Sequence, residues 1–131
     1  MDLITVTQKE NQEFVIQVRK HEVTCDMSVA EGGQDHGPHP SELMVGALGA
    51  CIGKAIARYC QTIKCPSEGI ELYLAYQFAD NPRRVASITI DLELPKDFPA
   101  ERRKAISKVI HSCPCHNTLK NAPEIDLEIN E

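Results

Sequence analysis

Apolar residues recur at spacings of three and four from Pro40 to Lys64 (PSELMVGALGACIGKAIARYCQTIK), which predicts the longest helix of the chain. Leu48, Cys51, Ile52, Ala55, Ile56 and Tyr59 make one stripe. Lys54, Arg58, Gln61 and Lys64 are the solvated positions, all in the second half. Pro40 suits a first helical turn, Ser41 or His39 can cap it, and Glu42 puts negative charge near the positive end of the dipole. Gly46, Gly49 and Gly53, with Ala47 and Ala50 between them, crowd the middle. Each glycine disfavours a helix by about 1 kcal/mol relative to alanine. Three of them predict close approach by another backbone, from a partner helix or a second subunit. The first half of the helix is therefore expected to be buried, with Cys51 at its centre.

Elsewhere the period is two. Leu3 to Thr7, Phe14 to Arg19 and His21 to Met27 read as three short strands of a meander, with a polar turn from Lys9 to Gln12. Ala30 to His39 (AEGGQDHGPH) is a loop leading into the helix. Ile70 to Phe78 and Val85 to Leu94 alternate cleanly on either side of the turn DNPRR, and predict a long hairpin. Ala100 to His111 carries Ala105, Ile106, Val109 and Ile110 on one stripe and reads as a helix. His116 to Asn121 is a short helix or turn, and Ile125, Leu127 and Ile129 alternate as a last strand. The order βββ–α–ββ–α–(α)–β is an α+β class with antiparallel strands. No repeat, linker or low-complexity segment divides it, so one domain over residues 1–131 is expected.

Composition narrows the partners. A formal charge of −5 leaves no basic footprint for nucleic acid. The helix that comes nearest to a membrane span carries Lys54 and Arg58, so no membrane partner is expected. The N-terminus, MDLITVTQKE, shows no basic start followed by an apolar core, and the expected location is the cytoplasm. Six cysteines are many for 131 residues. Without a secretory signal they read as free, catalytic or metal-binding thiols rather than a disulfide framework.

Two of them are placed for chemistry. Cys51 lies in the apolar stripe, either as a small buried hydrophobe or as a thiol in a dry pocket. Cys113 follows one helix and precedes a proline in HSCPCHNT. At the N-cap of a helix starting near Pro114, its thiolate is favoured by the dipole and free N–H groups, with His111 and His116 able to add positive charge. The bland reading is a cysteine in a tight turn. Cys113, Cys115, His111 and His116, with His36 and His39 upstream, also offer zinc ligands, although Cys-x-Cys-His is not a usual zinc spacing. Cys60 follows Cys51 by nine residues, which at ~100° per residue puts it on the opposite face. Cys60, Cys65 and Cys25 read as structural. A thiol on one helix and another at the start of the next is the pair a two-cysteine peroxidase needs: one attacks the peroxide and the other resolves the sulfenic acid.

The segments Gly37-Pro38-His39-Pro40-Ser41-Glu42-Leu43, Ala47-Leu48-Gly49-Ala50-Cys51 and Cys113-Pro114-Cys115-His116-Asn117-Thr118-Leu119 resemble the signature stretches of the OsmC/Ohr family, the osmotically inducible and organic hydroperoxide resistance proteins. The resemblance spans nearly the whole chain. It implies an OsmC-like α+β fold, with antiparallel sheets around a central cysteine-bearing helix in an intertwined homodimer. It further implies Cys51 as the peroxide-reacting cysteine and Cys113 as the resolving one. Glu42, one turn into the helix, is expected to orient a cationic partner of the Cys51 thiolate, the bland alternative being a first-turn dipole charge; no bound cofactor or metal is expected. The expected partners are a small-molecule hydroperoxide and a small thiol or lipoyl-type dithiol reductant. In the hydroperoxide branch the glutamate directly follows the proline. Here Ser41 does and Glu42 comes next, and only Lys9 and Arg19 stand for that branch's N-terminal arginine, which points to the OsmC-like branch. Cys115 adds a further thiol. The rival readings are a small-molecule binding protein on the same fold, and a zinc or redox sensor using Cys113 to His116.

Overall fold

The N-terminal alternation folds as a meander. In the computed structural model, which describes residues 3–130, strand β1 (Ile4–Glu10) pairs antiparallel with β2 (Glu13–Val18), and β2 with β3 (His21–Cys25). Phe14 faces Cys25, and Ile16 lies between Val6 and Val23. Two-residue links with Asn11 and Arg19 at left-handed φ of 52° make the two reversals. Of the described residues, those up to Gly46 form one compact unit and those from Ala47 a second.

In the first unit a buried carboxylate holds the loop after β3. Asp26, 2% exposed, accepts N–H bonds from Met27 at 2.7 Å, Gln34 at 3.2 Å and His36 at 3.1 Å. Burial pushes this carboxyl up, but the three amides together with the His36 charge hold it below its ordinary value. His36 Nδ1–H donates to buried Glu13 at 2.6 Å, and that bond holds the imidazole above its ordinary value. The loop lies backbone against backbone. A Cβ on Gly33 would sit 2.1 Å from the Met27 carbonyl oxygen, and one on Gly37 would sit 2.3 Å from that of Thr24.

Helix α1 (Pro40–Thr62) starts in this unit. His39 is its cap and Pro40 its first residue, and the Glu42 carboxylate reaches back to accept the His39 N–H at 2.8 Å. That is the glutamate half of a capping box. The His39 Nε2 in turn accepts the Ser28 N–H at 3.1 Å.

In the second unit Leu48, Ile52, Ile56 and Cys60 bury one side of α1 in a core with Phe98, Ile106 and Cys113. The hairpin of β4 (Glu71–Ala79) and β5 (Arg84–Glu93) lays Leu72, Ile88, Ile90 and Leu92 against that core and keeps its alternate positions wet. Within this chain, the close approaches to Gly49 and Gly53 come from side chains. A Cβ on Gly49 would meet Leu74 Cδ1 at 2.8 Å, one on Gly53 would meet Leu72 Cδ1 at 3.3 Å, and one on Gly46 would meet nothing within 4 Å. The expected burial of the first half of α1 is also only partial, because Gly46, Ala47 and Ala50 are exposed.

Three other expectations change. Residues 100–111 are not one α-helix but a 3-10 turn over Ala100–Ala105 followed by α2 (Ile106–Ile110), since Ile106 is the residue this segment buries. The segment carrying Ile125, Leu127 and Ile129 forms no strand. Among the described residues no neighbouring strand offers its hydrogen bonds, and these side chains are 87%, 84% and 82% exposed. Finally, α1 does reach a membrane-spanning length and composition, with 23 residues and an 18-residue window of mean hydropathy 1.3; Lys54 and Arg58 do not lower the average enough. In this unit it nevertheless serves as a core helix.

Two measurements follow from this packing. Ile56 is fully buried, so Ile56→Ala should cost about 2–5 kcal/mol in urea unfolding. In the first unit, the stability His36 gains from Glu13 is complete below about pH 6.5 and is lost as pH rises through the higher folded value. The thermal midpoint should therefore drift down from about pH 6 to pH 8, and Glu13→Gln should flatten that drift.

Candidate active site

A turn between two short helices builds one wall of the site. After α2 the chain turns through His111 and Ser112. The Cys113 N–H bonds the Ile110 carbonyl at 3.0 Å and ends the helical path. Pro114 then opens α3 (Pro114–Lys120), where its missing N–H leaves no bond unmade. Cys113 is the N-cap: its backbone is extended, and its sulfur accepts the His116 N–H at 3.4 Å. Asn117 pins the turn by donating from its side chain to the His111 carbonyl at 3.0 Å.

The other wall is α1. Cys51, Lys54, Ala55 and Arg58 sit on one face at spacings of three, four and seven. With Ser112 and Cys113 they line a cavity of about 180 Å³. Cys51 and Cys113, far apart in sequence, therefore meet.

The three thiols near this cavity differ in proton affinity. Hydrogen bonding from the Cys113 thiol pulls Cys51 below the ordinary thiol value. Burial opposes it, and the N–H and thiol of Cys115 and the Lys54 charge add to it. Cys113 is pushed up, first by its own burial and then by Cys51. Cys115 is also pushed up, chiefly by its hydrogen bond with Cys51 and secondly by burial. The arrangement concentrates thiolate character on Cys51 and leaves proton-bearing thiols beside it.

Two expectations for Cys113 divide here. It does occupy the N-cap, but burial outweighs the capping N–H, so its thiol is not activated there. Nor is it the more open of the pair: Cys113 is 1% exposed, whereas Cys51 and Cys115 are half-buried. The Cys113 side chain belongs to the core cluster that holds Ile106 and Ile56.

The Glu42 carboxylate is bound to the His39 N–H in the first unit and belongs to no ion pair among the described residues. Lys9 pairs with Glu13 at 3.7 Å, and Arg19 lies in the turn between β2 and β3. The proposed zinc set does not assemble. Among the described residues the cluster with ligand-like spacing is Glu13, Asp26 and His36, not Cys113 to His116. The His111 and His116 rings instead stack edge to face, 5.6 Å apart. Asp26 in the first cluster spends both oxygens on backbone amides. Cys60 is fully buried, with its thiol pushed up by burial and by neighbouring Cys65.

Sequence reasoning missed Lys54 and Arg58, which read there only as solvated. Their offsets of three and seven from Cys51 on a helix were the available signal.

Residues 32–128 match the family model described as OsmC-like protein. The sequence has no match among curated proteins. Solved structures similar to this chain include an osmotic stress induced and detoxification response protein from Psychrobacter arcticus, at 18% identity and TM-score 0.82 over 90% of this chain and 88% of that one. An OsmC-like protein from Mycoplasma pneumoniae matches at 18% identity and TM-score 0.76, over 91% and 86%. The organic hydroperoxide resistance protein OhrB of Bacillus subtilis matches at 19% identity and TM-score 0.63, over 92% and 93%.

The thiol electrostatics are open to a direct check. In peptide-resolved alkylation with iodoacetamide across pH, the Cys51 midpoint should lie below the ~8.5 of a free cysteine. Cys113→Ala should raise that midpoint more than Lys54→Ala, because the Cys113 bond is the largest stabilising influence on the thiolate.

Proposed function

The chain belongs to the OsmC family, and on that premise we propose that it is a cysteine-based peroxidase that reduces organic hydroperoxides in the cytoplasm. The observation that carries this reading is the juxtaposition of Cys51 with Cys113 at a small cavity, with the thiolate character on Cys51. The Cys51 thiolate attacks the distal peroxide oxygen. The S–O bond forms as the O–O bond breaks, and the alkoxide leaves as the alcohol after taking a proton. Lys54 and Arg58 line the cavity as cations that can favour the charge developing on that oxygen. Cys113 then displaces hydroxide from the sulfenic acid, giving a Cys51–Cys113 disulfide and water. A small thiol or dithiol returns the two electrons and two protons. No step requires a bound cofactor. Glu42 acts by fixing the start of α1 as part of its cap, a positioning role rather than a reacting one.

We further propose a homodimer as the working unit. The exposed small residues Gly46, Ala47 and Ala50 and the exposed Met44 leave apolar helix surface in water in the isolated chain. An obligate interface should bury more than about 2,000 Å² in total.

Stopped-flow mixing of the reduced protein with an alkyl hydroperoxide should consume one equivalent quickly, and Cys51→Ser should slow this by at least about a thousandfold. Tight binding of the hydroperoxide without consumption would favour a binding protein instead. Sedimentation equilibrium at micromolar concentration should give twice the 14.6 kDa chain mass; a compact monomer would refute the dimer.

A further inference from the structure

We propose that Cys115 is a second resolving thiol, and that the disulfide presented to the external reductant is Cys51–Cys115 rather than Cys51–Cys113. The inference rests on the peroxidase reading of Cys51.

Access is the first argument. A reducing thiol must reach one sulfur of the disulfide it attacks. Cys113 is sealed in the core within its own chain, whereas Cys51 and Cys115 both keep exposed surface in the isolated chain. A bond between the two half-buried thiols is reachable from solvent, whereas one running to Cys113 offers only its Cys51 end.

Position is the second. Cys115 lies one residue into α3 beyond Pro114, so the same turn that fixes Cys113 also fixes Cys115. Both its thiol and its backbone N–H approach the Cys51 sulfur. Two thiols held by one rigid turn therefore flank one nucleophile.

Timing is the third. The largest influence raising Cys115 is its hydrogen bond with Cys51, whereas the largest raising Cys113 is burial. Once Cys51 is oxidised it no longer presents a thiolate. The main influence on Cys115 then disappears, and that on Cys113 stays. Cys115 is thereby relieved of the largest influence opposing its ionisation at the stage when a resolving thiolate is needed.

The chemistry balances along two routes to the same product. In direct resolution the Cys115 sulfur attacks the Cys51 sulfenic acid. The S–S bond forms, the S–O bond breaks, and hydroxide leaves as water with the proton from Cys115. In exchange, the Cys115 thiolate attacks the Cys51 sulfur of the Cys51–Cys113 disulfide, and Cys113 departs and takes up the proton that Cys115 released. A dithiol reductant then closes to its own cyclic disulfide and restores both thiols.

The test uses the full chain and one equivalent of alkyl hydroperoxide, with peptide mapping and a dimedone trap for sulfenic acid. Cys113→Ala is expected to yield a Cys51–Cys115 cross-link with little dimedone adduct, and Cys113→Ala/Cys115→Ala to stop at the trapped sulfenic acid. Cys115→Ala is expected to form Cys51–Cys113 and to be re-reduced by a dithiol at least tenfold more slowly than the wild type. Because Cys113 is a core residue, wild-type protein quenched after oxidation is complete and before reductant is added provides a measurement independent of that variant, and it should contain the Cys51–Cys115 linkage. A Cys113→Ala protein that accumulates sulfenic acid with Cys115 free would overturn the proposal while leaving the peroxidase reading intact, as would Cys115→Ala re-reduced at the wild-type rate. Wild-type protein that leaves the hydroperoxide unconsumed would overturn the peroxidase reading itself, and the proposal with it.

Discussion

The second unit depends on the burial of one side of α1. Ile52, Ile56 and Cys60 occupy the driest positions on the helix. Once they are committed to the core, the helical repeat leaves no freedom in where the neighbouring residues face. Cys51, one step from Ile52, lies at the edge of the buried stripe, with Lys54, Ala55 and Arg58 on the same side. The hairpin leucines fit against the helix because Gly49 and Gly53 carry no Cβ to exclude them. A packing requirement thus sets the direction of a reactive thiol.

The electrostatics of the site are a contest between burial and hydrogen bonding. Burial disfavours thiolate on all three cysteines around the cavity, and what separates them is which one gathers donors. Cys51 collects the Cys113 thiol, the Cys115 amide and the Cys115 thiol, and has Lys54 nearby. Cys113 has a helix-capping amide of its own, but a single N–H does not outweigh immersion in the core. A helix N-terminus activates a cysteine only when the sulfur stays near water, and here Pro114 and the preceding turn direct it inward.

The first unit solves a different problem by similar means. A loop rich in glycine and proline has many amides and few partners in regular structure. Asp26 gathers three of them, and Glu13 holds the His36 ring beside it. Gly33 and Gly37 permit the loop to lie against the carbonyls of Met27 and Thr24. Close backbone approach by glycine is realised here.

Periodicity alone was enough for the meander, α1, the hairpin and the turn ahead of Pro114, because each is dictated by local spacing and by proline and glycine chemistry. The signature stretches around Cys51 and Cys113 likewise pointed to the family from residue identity. The alternation of Ile125, Leu127 and Ile129 misled, since a strand requires a hydrogen-bonding neighbour and alternation does not supply one. The division of residues 100–111 and the side-chain origin of the contacts at Gly49 and Gly53 also lay outside local pattern. Above all, the order of proton affinity among Cys51, Cys113 and Cys115 was a tertiary decision. It turns on which thiol is immersed and which gathers donors, and residues roughly sixty apart in sequence acquire those relations only when packing brings their helices together.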